Sequence, residues 1–223
     1  MKKIYKPHLP AFFVLLTYIT AFSTVSGQDP TRFQKEIDHY KTVDSKKMPA
    51  QQLTLFTGSS SIRLWKHIDK YFPGVDLINR GFGGSQMSDL IFYAEDLIIK
   101  YNPKKVFIYE GDNDINDGKK PEQIVNDTQK LIKILRKRLP DVPIYFISPK
   151  PSISRWALKD SYVKLNNLLK DYCDKKSGIH FIDVWSPMLG ENGEPLPNLF
   201  LEDNLHMNKK GYKIWQAAIA PHL

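Results

Sequence analysis

The sequence predicts an α/β fold, a three-layer α/β/α sandwich built on a five-stranded parallel sheet. Two observations and one packing rule predict it. Five short apolar runs alternate with longer segments whose apolar residues recur at helical spacing. Prolines stand where helices should begin or end. Strands separated by helices form right-handed βαβ units, and such units make a parallel sheet that helices cover on both faces.

The strands are the five apolar runs. They lie at Leu53–Phe56, Val75–Ile78, Val106–Tyr109, Ile144–Ile147 and Ile179–Ile182. A short apolar run bounded by turn residues is typical of a strand buried in a parallel sheet. The sheet is therefore expected to form the centre of the core.

The helices fill the segments between the strands. They are predicted at about 62–71, 87–101, 121–139, 156–175 and 209–220, after a short amphipathic helix that carries Phe33, Ile37 and Tyr40. Pro121 suits a first helical turn, and Pro140 and Pro143 end one helix and lead into the fourth strand. The stretch 187–201 is rich in Pro, Gly and Asn and predicts a long loop.

The first 27 residues have the layout of a secretory signal peptide. Three lysines precede a mostly apolar run over 9–25, and small residues follow up to Gly27. Cleavage after Gly27 would leave one domain, residues 28–223, exported to the periplasm or secreted and without stable membrane insertion. The alternative is that the segment is retained as an N-terminal anchor. It holds no cysteine, which disfavours a lipid-modified terminus.

Charge and cysteine content exclude several other classes. Removing residues 1–27 lowers the net charge from +8 to +5, because the segment carries three lysines and no acidic residue. The remaining basic pairs are spread along predicted helices, which indicates solvated faces and no nucleic-acid partner. Cys173 is the single cysteine of the chain, so it forms no internal disulfide and no metal-ligand cluster. It is interpreted as a small, at least half-buried hydrophobe.

Chemically useful residues follow the strands. They form four blocks: Gly58–Ser61 after strand 1, Asn79–Ser85 after strand 2, Glu110–Asp114 after strand 3, and Asp203–His206 beyond strand 5 and the long loop. In open parallel sheets, ligands bind beyond the carboxyl ends of the strands. The four blocks are therefore expected to meet at one edge of the sheet.

The residue types in these blocks suit nucleophilic catalysis. A serine at a strand-to-helix turn is exposed near a helix N-terminus, where an oxyanion is favoured. Glycines 81, 83 and 84 allow the backbone to approach a substrate, and the amide of Asn113 is a further hydrogen-bond donor. Asp203 and His206 can supply a base and the carboxylate that orients it. Together they predict a nucleophile, donors and base on one sheet edge.

Each block also has another interpretation. The serine turn could be a plain turn or a phosphate-binding loop, although a P-loop pattern is missing. The Gly81–Gly84 segment resembles part of a dinucleotide fingerprint, but it follows the second strand and lacks the full spacing. Residues 112–118 resemble a calcium loop whose glycine is misplaced and whose distal glutamate is missing.

The order of the four blocks resembles the SGNH hydrolase superfamily, the GDSL-type esterases and lipases, from Phe56 to Trp215. The resemblance implies a flavodoxin-like fold and hydrolysis of carboxylic esters through an acyl-enzyme intermediate, with no metal and no other cofactor. It assigns Ser60 as nucleophile, His206 as base and Asp203 as the acid of a Ser-His-Asp triad. The oxyanion hole would comprise the N–H of Ser60, the N–H of Gly84 and the amide of Asn113, with Gly81 as the alternative to Gly84.

The chain departs from this family at Ser59, where the family's first block has an aspartate. That aspartate supports the loop by hydrogen bonding and is not the base, so activity is expected to survive. The change leaves Ser59 and Ser61 as alternative nucleophiles, and register with the family favours Ser60.

Substrate identity depends on fewer residues. The resemblance, together with the predicted export, favours short-chain O-acetyl esters on glycans. A lysophospholipase, a thioesterase-type acyl hydrolase and a non-catalytic carbohydrate-binding module are the alternatives. Four residues are candidates to line the substrate site: Arg80, Lys150, Arg155 and Trp156. The sequence does not indicate an oligomeric state.

Overall fold

The centre of the molecule is a five-stranded, all-parallel sheet. The computed structural model describes Met1 and residues 29–223, so the predicted signal peptide lies outside the described residues, apart from Met1. The strands are β1 (Thr54–Gly58), β2 (Leu77–Gly81), β3 (Lys105–Tyr109), β4 (Ile144–Ile147) and β5 (Ile179–Ile182), in the order β2-β1-β3-β4-β5. The predicted fold class is confirmed.

Eight α-helices flank this sheet in the described part of the chain. They are α1 (Gln34–Lys46), α2 (Ser60–Arg63), α3 (Met87–Phe92), α4 (Ala94–Leu97), α5 (Asp112–Asn116), α6 (Pro121–Arg138), α7 (Lys159–Asp174) and α8 (Lys209–Ile219). Short 3-10 turns occupy Pro30–Phe33, Ile68–Lys70, Ile99–Tyr101, Trp156–Leu158, Ser186–Met188, Pro197–Leu199 and Ala220–His222. Of the helices in residues 29–223, none has the length and apolarity to cross a membrane.

The strands bury side chains on both faces of the sheet, as a covered parallel sheet requires. Along β3, Val106 and Ile108 pack with α1, α3, α4 and α6, whereas Phe107 and Tyr109 face the opposite side. That second face of the sheet packs against α8, which contributes Trp215 to the core. The alternation follows the two-residue period of a strand.

A row of stacked rings crosses the second face. Phe56, Phe107, Tyr145 and His180 occupy matching positions on β1, β3, β4 and β5. Their ring centroids are 4.7 Å apart at each step, with interplanar angles of 10–20°. Cross-strand aromatic pairs of this kind stabilise one register of the sheet.

Helix boundaries differ from the sequence-based expectation at three places. The predicted helix over 62–71 is the one-turn α2 followed by a 3-10 turn, and His67 between them has φ of 54°. The predicted helix over 87–101 is divided into α3, α4 and a 3-10 turn. The short helix α5 was not predicted, because its sequence, Asp112–Asn116, is polar and without helical periodicity.

The strand order places a crevice at the end of β1. Chain connections leave β1 toward β2 on one side, while β3 pairs on the other side. Ligands in such sheets bind where the strand order reverses, beyond the carboxyl ends of these strands. The segments that follow β1 and β3 carry Ser60 and Asn113.

Candidate active site

Ser60 begins helix α2 directly after the buried strand β1. Ser59 has extended backbone torsions and is the N-cap, and its N–H donates to Tyr109 O at 3.0 Å. Ser59 O accepts from the N–H of Ile62 at 2.9 Å, so the turn after the strand is tight. The N–H of the first helical residue has no partner within the helix. Ser60 is half-buried, and its N–H is available to a ligand at the end of the strand.

Gly58 makes this turn possible. Its φ is 119°, a conformation that residues with a side chain rarely adopt. A Cβ at this position would lie 2.0 Å from Tyr109 O of the neighbouring strand. The ends of β1 and β3 can thus approach closely because residue 58 has no side chain.

The Asp203–His206 turn is organised by the carboxylate of Asp203. Its Oδ1 accepts from the N–H groups of Leu205 and His206, both at 2.9 Å, and Asn204 has φ of 57°. The N–H of Leu201 donates to His206 O at 2.8 Å and closes the loop. These bonds leave Asp203 Oδ2 directed at the imidazole of His206.

A hydrogen-bond chain joins the three residues. His206 Nδ1 lies 2.6 Å from Asp203 Oδ2, and His206 Nε2 lies 3.0 Å from Ser60 Oγ. Desolvation alone would raise the pKa of Asp203, but the hydrogen bonds from the ring and backbone of His206 and from Leu205 N–H lower that pKa to about 2. An ionised carboxylate accepts only, so Nδ1 carries a proton and Nε2 of the neutral ring can accept one from Ser60.

The glycine segment after β2 holds two candidate oxyanion donors, Gly81 and Gly84, whose backbone contacts differ. Gly81 N–H donates to Asn79 Oδ1 at 2.9 Å, and Gly81 O accepts from Tyr40 OH. Both backbone groups of Gly81 are therefore occupied. Gly84, in contrast, is exposed with φ of 84°, and a Cβ there would meet no atom within 4 Å. The structure favours Gly84 over Gly81 as the residue that offers an N–H to a ligand.

Asn113 comes to the same place from the end of β3. Gly111 has φ of 107° and precedes α5, whose second residue is Asn113. The amide Nδ2 of Asn113 donates to Ser59 Oγ at 2.6 Å and to Ser85 O at 2.8 Å. Ser59, which replaces the aspartate of the resembled family, thus contacts the amide through its hydroxyl. The amide lies between the serine turn and the glycine segment.

The structure contradicts two of the predicted substrate contacts, Arg80 and Lys150. Arg80 is buried, and its guanidinium binds Asp44 Oδ1 at 2.6 Å and Tyr101 OH at 2.6 Å, on the side of α1. Lys150 is also buried, and its Nζ lies 3.6 Å from Asp112 Oδ2. Neither side chain reaches the surface beside Ser60, because each is buried and lies against an acidic partner.

The other two candidates behave differently. Arg155 donates to Asn113 Oδ1 at 3.1 Å and is therefore part of the site. Trp156 is half-buried and stacks on Trp185 with ring centroids 5.8 Å apart. Its role as a substrate contact stays a prediction.

Sequence reasoning assigned no role to Glu110, a buried acid that contacts the glycine segment through Ser85. Glu110 Oε1 accepts from Ser85 Oγ at 2.6 Å, while Oε2 has no hydrogen-bond partner among the described residues. Burial, with the nearby Asp114 adding to it, raises the pKa of Glu110 well above its ordinary value. An acidic residue at the end of an apolar strand was the available signal.

Replacing Glu110 with glutamine is expected to stabilise the protein at pH 8 and to leave its stability unchanged at pH 4. The pKa of Glu110 is raised in the folded state, so its favourable contribution is complete below the unfolded pKa and is lost as the pH rises through the folded pKa. Glutamine keeps an acceptor for Ser85 and never ionises. Thermal unfolding at both pH values checks this, and a glutamine variant less stable than the wild type at pH 8 would contradict it.

The segment that resembles a calcium loop has other partners. Residues 112–116 form α5, Asp112 binds Arg155, and Asp114 binds Lys119 Nζ at 2.7 Å. Within residues 29–223, no three His, Cys, Asp or Glu side chains are grouped so that they could hold a metal ion.

Comparison with known proteins identifies one family. The model of the GDSL-like lipase/acylhydrolase family matches residues 57–214, which include Ser60, Asn113 and His206. No curated protein matches the chain.

Solved structures share the fold across most of the chain. A Streptococcus pneumonia protein, provisionally named a platelet activating factor, has a TM-score of 0.77 at 18% identity and covers 86% of this chain and 92% of its own. A GDSL-like lipase from Bacteroides thetaiotaomicron has a TM-score of 0.69 at 21% identity, with 83% and 95% covered. A catalytic mutant of an acetylxylan esterase from Geobacillus stearothermophilus has a TM-score of 0.64 at 15% identity, with 78% and 95% covered.

Proposed function

Because the chain belongs to the GDSL-like lipase/acylhydrolase family and is a carboxylic ester hydrolase, we propose that it is a serine esterase with Ser60 as nucleophile. The observation that carries the proposal is the hydrogen-bond chain from Ser60 Oγ through His206 to Asp203. Nucleophile, base and orienting carboxylate are thereby within hydrogen-bond reach of one another, as acyl transfer requires.

The reaction proceeds in two halves. His206 Nε2 takes the proton of Ser60 as Oγ attacks the ester carbonyl carbon, and a tetrahedral oxyanion forms. The imidazolium then protonates the departing alcohol oxygen, which leaves an acyl-serine ester. In the second half a water molecule gives its proton to His206 and attacks the acyl carbon, and Ser60 recovers its proton as the carboxylic acid departs. Asp203 stabilises the imidazolium in both halves and stays ionised.

We assign three donors to the oxyanion. They are the N–H of Ser60, the N–H of exposed Gly84 and the amide of Asn113. Each comes from a different strand end, so the sheet holds them in place before substrate arrives. Preorganised donors of this type contribute about 3 kcal/mol each to lowering the barrier.

The substrate we propose is a short-chain, O-acetyl ester on a carbohydrate. Ser60 and His206 are half-buried and Gly84 is exposed, so the described residues leave the reacting groups open to solvent. An open site suits a small acyl group on a bulky, hydrated alcohol. The fold shared with an acetylxylan esterase supports the same class.

A second candidate is hydrolysis of lysophospholipids or acyl thioesters. Ile153 and Leu201 are exposed, at 36% and 49%, on two loops that meet beside the histidine. The loops are joined by Ser154 N–H to Asn204 O at 3.1 Å, and the second loop is closed within itself by Leu201 N–H to His206 O at 2.8 Å. Two apolar side chains at such a place could contact a longer acyl chain.

Export of the protein is part of the proposal. The basic start, apolar run and small residues of positions 1–27 are typical of a secretory signal peptide. An exported esterase would meet acetylated glycans outside the cytoplasm.

A substrate panel tests the proposed class. We expect acetylated xylooligosaccharides to be deacetylated with a higher kcat/KM than lysophosphatidylcholine and palmitoyl thioesters. Labelling of Ser60 by a fluorophosphonate, located by peptide mass spectrometry, is expected in the same preparation because an activated serine reacts with it. Faster turnover of the long-chain substrates would favour the second candidate, and the absence of labelling would overturn the serine mechanism.

A further inference from the structure

We propose that Arg155 is a positioning residue that fixes the orientation of the Asn113 amide, so that its Nδ2 faces the oxyanion. The inference rests on the proposed function, because it concerns a donor of the proposed oxyanion hole. It gives a role to a side chain that the sequence suggested only as a substrate contact.

The orientation follows from the types of atom involved. A guanidinium has donors only, so the Asn113 atom that lies 3.1 Å from Arg155 Nη2 is the carbonyl oxygen Oδ1. The amide nitrogen must then point the other way, where Ser59 Oγ and Ser85 O accept from it. A flipped amide would place Oδ1 against Ser85 O and Nδ2 against the guanidinium, with like groups facing each other on both sides. Arg155 and Ser85 thus select the same orientation.

Arg155 is itself held in place by Asp112. Its Nη1 donates to Asp112 Oδ1 at 2.6 Å and to Asp112 O at 3.1 Å, and only 13% of the Arg155 side chain is exposed. Asp112 also accepts from Tyr109 OH at 2.8 Å and from Tyr162 OH. Burial alone would raise the pKa of Asp112, but the charges of Lys150 and Arg155 and the hydrogen bonds from Tyr162 and Arg155 lower that pKa to about 2. The carboxylate therefore stays charged and keeps the guanidinium against the amide.

The network has a specific catalytic consequence. Asn113 directly follows Asp112 in α5, so one guanidinium bridges consecutive side chains of the same turn. The amide is then oriented before the oxyanion develops, and only its hydrogen bond to Ser59 Oγ has to be exchanged for one to the oxyanion. Without Arg155, the amide retains only its bonds to Ser59 and Ser85, and the orientation with Nδ2 toward the oxyanion is less populated.

A double-mutant cycle on p-nitrophenyl acetate tests the inference. We expect Arg155→Met to lower kcat about 10-fold or more with little change in KM, and Asn113→Ala to lower kcat about 100-fold. Because Arg155 acts through Asn113, the double variant is expected to match Asn113→Ala within about 3-fold. A multiplicative double variant, or an Arg155→Met effect confined to KM, would show direct substrate contact and overturn the inference.

Two controls separate positioning from folding. Arg136→Met removes a part-buried guanidinium that donates to the main-chain oxygens of Leu139, Val142 and Gly178, none of them in the proposed site, and we expect it to lower Tm while kcat stays within about 3-fold of the wild type. Arg155→Lys keeps a cation beside Asp112 but loses the planar fork that reaches both side chains, so kcat should fall as in Arg155→Met. Wild-type kcat in folded Arg155→Lys and Arg155→Met would overturn the inference alone. Wild-type kcat in Asn113→Ala would overturn the proposed oxyanion donor and the inference with it.

Discussion

Replacing Ser60 with alanine is expected to lower kcat for ester hydrolysis by about 10⁴-fold or more. The variant keeps the donors, the base and the orienting carboxylate, but it has no oxygen within 3.0 Å of His206 Nε2 to form the acyl intermediate. The measurement is steady-state hydrolysis of p-nitrophenyl acetate, with the unfolding midpoint confirming that the variant is folded.

The neighbouring Ser61 provides the matched control. Its side chain is buried, and its carbonyl group accepts from Tyr212 OH at 2.9 Å, a bond that a side-chain substitution does not remove. Ser61→Ala is therefore expected to keep kcat within about 3-fold of the wild type. If Ser60→Ala hydrolysed the ester at the wild-type rate, or if Ser61→Ala were the inactive variant, the nucleophile would be assigned wrongly.

Gly58→Ala is expected to produce the largest loss of stability, about 4 kcal/mol or more in the free energy of unfolding. The alanine would have to adopt the positive φ of Gly58, and its Cβ would lie 2.0 Å from Tyr109 O. Tyr109 O is a main-chain atom at the end of β3 and accepts from Ser59 N–H, so it cannot move aside as a flexible side chain can. Either β1 and β3 separate at their carboxyl ends or the chain does not fold. Chemical denaturation monitored by circular dichroism measures the effect.

Gly118 separates the two causes. Its φ of 82° is also left-handed, but a Cβ there would meet no atom within 4 Å. Gly118→Ala therefore reports only the conformational cost, about 1 kcal/mol. Comparable midpoints for the Gly58 and Gly118 variants would show that the close approach of the strand ends is not what makes Gly58 necessary.

Local sequence patterns were sufficient to predict the sheet. The strands of a covered parallel sheet are continuous apolar runs, and β3 and β4 were therefore placed almost to the residue. The helix predicted over 62–71 was too long, because the apolar residues there pack in a turn around Trp65 and not along one helix face. Periodicity cannot distinguish these cases, since tertiary contacts decide between them.

The predicted site residues reach one sheet edge for a topological reason. Strands that run parallel end on the same side, so the blocks after β1 and β3 had to meet whatever the lengths of the connections. Side chains below that edge follow no such rule. Arg80 lies near the carboxyl end of β2 and Lys150 follows the carboxyl end of β4, yet both side chains are buried with acidic partners. The direction of a side chain depends on its packing, which the spacing of residues along the sequence does not encode.

The three groups of the hydrogen-bond chain differ in how firmly the fold holds them. Ser60 follows a strand with every residue buried, whereas 47% of the Asp203 side chain is exposed on a turn closed by a few bonds. Local opening of that turn costs less free energy than global unfolding. A brief detachment of residues 201–207 would separate the proposed base, His206, from the proposed nucleophile, Ser60, while the sheet stays intact. We therefore expect heat or denaturant to inactivate the enzyme reversibly under conditions in which the sheet is still folded.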